Sequence, residues 1–129
     1  MTVSVNWDKH DHTILIYTLG NPWTWEELYA SVDTGIAMVD TVASNVDIIV
    51  DFKNCHSLPP KAFAQFYRVA ALPTPQTNMI VIAGGGTLLL SLFNLFMLMV
   101  GSAGSKYCWV SDLDKARATI LARRAALVQ

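Results

Sequence analysis

Few side chains in this 129-residue chain are of a type and spacing that does chemistry. His10, Asp11 and His12 form one candidate. In extended backbone the two imidazoles point the same way and could share a metal, while Asp11 points oppositely and no third ligand is evident. Two donors rarely hold a metal, so the expectation is a solvated hairpin turn and no metal site. Cys55-His56 sets a thiol beside an imidazole, the pair from which an activated thiolate is built. Sequence neighbours seldom face each other, and no orienting carboxylate can be placed, so a nucleophile–base pair is not expected. Cys55 and Cys108 are the two cysteines, each in or after an apolar run, and they read as reduced, buried thiols. With no recognisable acid–base pair, catalytic residues and cofactors are expected to be none, and an enzyme is disfavoured.

Gly84-Gly85-Gly86-Thr87 is a candidate for weak anion binding, because a glycine turn before a helix can offer backbone N–H groups to an anion. It lacks the P-loop lysine and the GxGxxG spacing. A plain turn that lets the helix fold tightly onto a sheet is the simpler account. The net charge of −1, from nine basic and ten acidic residues, gives no electrostatic case for nucleic acid. The adjacent basic pair Arg123-Arg124 sits where a helix C-terminus would favour positive charge.

The segment from Thr87 to Met99 is the most informative. Its polar residues Thr87, Ser91 and Asn94 fall at spacings of four and three and make one narrow stripe. Leucine, phenylalanine and methionine fill nearly everything else, over a wider arc than a helix on one side of a sheet needs. The apolar run at 88–100 has 13 residues, short of the ~20 that span a bilayer. The excess predicts a surface for a protein partner or a second copy of the chain, with Leu89, Phe93, Phe96 and Met97 as candidate contacts. The alternative is a helix lining a cavity for a lipid or other apolar ligand. No signal peptide is visible at the N-terminus, and a cytoplasmic location is the default.

The elements that would position these residues follow from periodicity. Val3, Val5 and Trp7 alternate with polar residues as a half-buried strand, and a second strand over 12–19 is apolar on both faces, so the two form a hairpin. Thr24-Trp25-Glu26-Glu27 has the form of a capping box. It opens a helix whose stripe Leu28, Val32, Ile36, Val39 and Val42 carries it to residue 44 or 45. VDIIVDF at 46–52 is a buried strand. Pro59-Pro60 suit the first turn of the next helix, with Ser57 as its N-cap, Ala62 to Ala71 as its body and Pro73-Thr74-Pro75 as its end. MIVIA at 79–83 is another strand, Thr87 caps the helix after it, and YCWV at 107–110 is the last strand. Ser111-Asp112-Leu113-Asp114 again resembles a capping box, and its helix runs to about residue 126. The fold class is α/β over one domain, residues 1–129: an N-terminal β-hairpin followed by four β–α units, a mostly parallel five-stranded sheet flanked by four helices. At 53% apolar residues and a mean hydropathy of +0.36, more apolar surface exists than one core of this size readily hides.

A hairpin followed by four β–α turns resembles the STAS domain, the anti-sigma-factor-antagonist type of fold, and especially the bacterial STAS-like proteins grouped with Sec14-type lipid-binding domains. The resemblance is carried by the helix entry at Trp23–Leu28, VDIIVDF at 46–52, the proline-led second helix, MIVIAGGG at 79–86 and YCWVSDLDKA at 107–116. It implies a non-enzymatic regulatory module that works by protein–protein interaction, here as a homodimer, or by binding an apolar ligand. The sequence departs from the phosphorylatable members, whose second helix starts on an Asp-Ser-Ser-Gly-like motif. Leu58-Pro59-Pro60-Lys61 stands there instead, so no phosphorylation switch is expected.

Overall fold

The structure, a computed structural model, describes residues 2–72 and 76–128, with backbone alone at residues 102–104 and 128. Among these residues the order is β1 (Val3–Trp7), β2 (Ile14–Leu19), α1 (Trp25–Val39), β3 (Val46–Asp51), α2 (Ala62–Ala70), β4 (Thr77–Ala83), α3 (Gly86–Val100), a 3-10 turn (Gly101–Lys106), β5 (Tyr107–Val110) and α4 (Leu113–Val128). The strands form one sheet in chain order, β1 antiparallel to β2 and every later pair parallel. The α/β class and the mostly parallel five-stranded sheet are as the periodicity predicts.

Stepwise order decides where the helices go. Each right-handed crossover to the next neighbour lays its helix on the same side of the sheet. α1, α2 and α3 therefore share one face, over Leu15, Tyr17, Ile48, Val50, Ile80 and Ile82. α4 follows the last strand with no strand left to reach, and it covers the opposite face. There Ala116 and Ile120 pack on Ile14, Ile49, Val81 and Ala83 in a separate apolar cluster.

The first helix starts as expected. The Thr24 side chain accepts from the Glu27 N–H at 3.2 Å and Glu27 Oε1 accepts from the Thr24 N–H at 3.0 Å, a complete capping box. Other boundaries differ. α1 stops at Val39 with Asp40 as C-cap, and Val42 packs from the turn beyond, its N–H bonded to the Val39 carbonyl. The prolines do not enter α2. That helix begins after Lys61, whose φ of +62° is left-handed, and it has no side-chain cap. Ser57, Pro59 and Pro60 precede it in the loop. Ser57 is therefore not the N-cap, and the Pro60 carbonyl instead accepts from Trp25 Nε1 at 2.9 Å. Thr87 is not a cap either: it lies inside α3, and Gly85, φ +80°, takes the capping position. For α4 the capping side chain is Asp112, whose Oδ1 accepts from the Lys115 N–H at 2.8 Å. Pro73-Thr74-Pro75 lie outside the described residues.

Candidate functional site

On the three-helix face, the helices stand off the sheet around an apolar cavity of about 170 Å³. Its floor is the inward side chains of β3 and β4, its walls are Val32, Ile36 and Val39 of α1 and Leu89, Leu92, Phe93 and Phe96 of α3, and its roof is Phe63, Phe66, Val69 and Ala70 of α2. The cavity is partly open to solvent, so it is a cleft between helices and sheet and not a sealed void. No lining side chain is charged. Two lining residues, Phe52 and Phe66, join Trp23 and Trp25 in an aromatic cluster packed mostly edge-on, with Trp25 5.0 Å from Phe66 between ring centroids. The Trp23 indole also donates to Cys55 Sγ at 3.2 Å, so the β2–α1 and β3–α2 loops meet at this cluster.

Two cavity residues, Tyr17 and Gly35, were not singled out from the sequence. Tyr17 stands on β2 at 6% exposure and points at α1. Gly35 lies in the interior of that helix. A side chain there would overlap the Tyr17 hydroxyl and the end of its ring. Glycine inside a helix costs about 1 kcal/mol against alanine. An isolated glycine in an otherwise regular helical stripe was thus the readable sign of a close approach. Burial pushes the Tyr17 hydroxyl up to about 12.

The four contact candidates on α3 divide. Leu89 and Phe96 are buried in the chain's own core, and Phe93 and Met97 are half-buried. Leu89, Phe93 and Phe96 turn toward the cavity. The apolar surface that meets solvent belongs to Leu88, Leu95, Leu98 and Met99, beside the exposed stripe of Thr87, Ser91 and Asn94. The correction is one of direction. The polar stripe marks the outer side of the helix, and the residues opposite it are inside.

The Gly84–Thr87 turn spends its first donor within the fold. The Gly84 N–H bonds the Val110 carbonyl at 3.0 Å, and the Gly84 carbonyl accepts from Trp109 Nε1 at 2.9 Å. Gly84, Gly85 and Gly86 all have positive φ. A Cβ on Gly85 would overlap Leu89, so the glycines let α3 close against the end of β4.

The remaining polar candidates lie apart from the cavity. His10 and His12 are exposed, His12 stacks on Trp7, and His56 is exposed beside a buried Cys55. Cys108 is half-buried rather than buried, and burial pushes its thiol up, opposed in part by Arg123. Among the described residues no three His, Cys, Asp or Glu side chains gather at a metal-binding distance. No helix among them is long and apolar enough to cross a membrane.

The sequence reading missed the ion pairs under α4. Arg117 meets the buried Asp8 at 2.7 Å. Arg124 reaches Asp47 at 2.8 Å, Asp11 at 2.9 Å and the Thr13 carbonyl at 3.2 Å. The Thr13 side chain and N–H, with Arg124 behind them, hold the Asp11 carboxyl below its ordinary range against a smaller effect of burial. Arg124 is therefore a clamp between helix and sheet, beyond any role at the helix end. Comparison with family models, with curated proteins and with solved structures gives no match.

Proposed function

We propose that this chain is a non-enzymatic interaction module of the STAS-like type, without the phosphorylation switch, which pairs with a second copy of itself through the outer side of α3. One observation carries this reading. Leu88, Leu95, Leu98 and Met99 are 62%, 48%, 82% and 60% exposed on a single helix. Leu88, Leu95 and Met99 lie seven and four residues apart and so fall along one side of the helix. Scattered exposed leucines need no explanation, but a contiguous apolar stripe marks an interaction surface. Fully burying four such side chains on each protomer is worth at most about 12–24 kcal/mol for the pair. Association costs roughly 4–15 kcal/mol before side-chain ordering, so a dimer is the expected product. The unpaired cysteines suit a reducing, cytoplasmic compartment.

Sedimentation equilibrium over a wide concentration range tests this. Wild type should dimerise, and Leu95→Glu and Leu98→Glu should be monomeric with unchanged far-UV circular dichroism, because both positions are open to solvent. A wild type that stays monomeric at the highest concentration defeats the proposal.

A second reading, carriage of a small apolar ligand in the Sec14-like manner, is favoured by the cavity. The two readings are compatible, since α3 presents opposite sides to the cavity and to solvent.

A further inference from the structure

The cavity has one polar feature that its apolar walls do not explain. Three lining side chains carry a hydroxyl: Tyr17, Thr77 and Tyr107. Thr77 is engaged within the fold, and Tyr107 is half-buried, stacked edge-on against Phe96. Tyr17 is only 6% exposed; among the described residues nothing hydrogen-bonds its hydroxyl, and the oxygen is not sealed off but keeps accessible surface in a residue that lines the cavity. Tyrosines this buried usually find a partner for the O–H, and here the donor is left available on the cavity side. The position is built rather than incidental. α1 carries glycine at residue 35, where any side chain would overlap this hydroxyl. A phenylalanine at residue 17 would fill the same space at no polar cost.

We propose that the cavity takes a neutral, compact apolar molecule bearing one hydrogen-bond acceptor, such as a ketone, an ester or an ether, and that the Tyr17 hydroxyl donates to that acceptor. This rests on the ligand-carrier reading above and names its ligand class. Three observations set the class. Size comes first: a cavity of about 150 Å³ lined by leucine, isoleucine and phenylalanine admits benzene, so about 170 Å³ suits one ring or a short branched chain. Charge is next. No lysine, arginine or histidine lines the walls, and a carboxylate or phosphate moved here would be unpaired. Polarity of the bond is last. With burial holding Tyr17 protonated until about pH 12, the phenol is a donor at neutral pH, and the ligand must accept.

The test uses three probes of one shape against the full chain, followed by methyl NMR titration: acetophenone, its hydrocarbon isostere α-methylstyrene, and benzoate. Wild type and Tyr17→Phe are compared. The cavity reading expects the ketone and the hydrocarbon to shift the methyl signals of Val32, Ile36, Leu92 and Ile82. The donor assignment expects the affinity ratio of ketone to hydrocarbon to fall roughly three- to tenfold in Tyr17→Phe, the equivalent of one net hydrogen bond. The neutral class expects benzoate to bind at least tenfold more weakly than acetophenone to wild type. If both neutral probes bind but the ratio is the same in the two proteins, the Tyr17 assignment is wrong while the cavity reading stands. Benzoate binding as tightly as acetophenone overturns the neutral class in wild type alone, whatever the variant does. If neither neutral probe moves a cavity methyl signal at saturation, the proposal and the carrier reading fall together.

Discussion

The two faces of the sheet are packed on different principles. Under α4, Ala116 and Ile120 are wholly buried against Ile49, Val81 and Ala83. Two arginines then tie the helix to carboxylates of the hairpin turn and β3. Under α1–α3, no residue of α2 is fully buried, aromatic rings meet mostly edge-on, and a cavity remains. One face is closed and charge-locked, and the other is apolar and underfilled. A domain that spends a full helix on rigidity can keep the other layer open for a ligand or a partner. The underfilled layer is the one with unused apolar surface both inside and outside.

If this contrast is real, equal truncations should have unequal costs. Ile120→Ala on the closed face should destabilise by about 3–4 kcal/mol, since it opens a new void in a packed site. Leu92→Ala borders a space already empty and should cost under about 2 kcal/mol, because fewer partner atoms are lost. Urea denaturation midpoints measure both, and equal costs would erase the distinction between the faces. Arg124→Ala should cost about 2–4 kcal/mol, because it strands the buried Asp47 carboxylate along with Asp11, with the partial exposure of the arginine reducing the effect. If the loss is within 0.5 kcal/mol, roughly what a surface substitution does, the clamp is ornamental.

The open face should have its own signature in pH. Tyr17 titrates near 12 when folded and 10.0 when free. Between these values the unfolded chain loses the proton first, so stability is complete below pH 10 and declines as pH rises toward 12. The loss is about 2–3 kcal/mol at the upper end. Comparing the pH dependence of unfolding in wild type and Tyr17→Phe isolates it, and identical curves would mean the hydroxyl is not buried. The smallest effect belongs to the entry of α1. Thr24→Ala should cost about 1 kcal/mol, and an unchanged midpoint would show that the Thr2–Glu27 contacts hold this end without the cap.

Local features were readable from the residues alone. Strand alternation at 3–7, the β-branched run at 46–52 and the capping box at Thr24 each depend on neighbours within a few positions, where side-chain period and cap chemistry act directly. Helix starts led by glycine or proline were misread because more than one cap can satisfy the first turn. At α2 and α3, a left-handed Lys61 and Gly85 took the place expected for Ser57 and Thr87.

The site was legible only in part. That α3 is apolar beyond one face could be counted from residues 87–99, and the narrow polar stripe did identify its outer side. Which leucines meet solvent was decided by how that helix sits on β4 and β5. The Arg124–Asp47 and Arg117–Asp8 pairs join residues 77 and 109 apart, a separation at which no periodicity operates. The apolar excess of residues 87–99 left a cavity open as an alternative, but its place and size had no sequence signature, because it is a shortfall of volume among three helices that reach the sheet from different parts of the chain. The sequence by itself determined the elements, their order and the excess of apolar surface, since these follow from local geometry and composition. Tertiary structure alone decided that the excess is divided between a partly open apolar cavity and an exposed stripe, because stepwise right-handed crossovers put three helices on one face and leave a single helix to close the other.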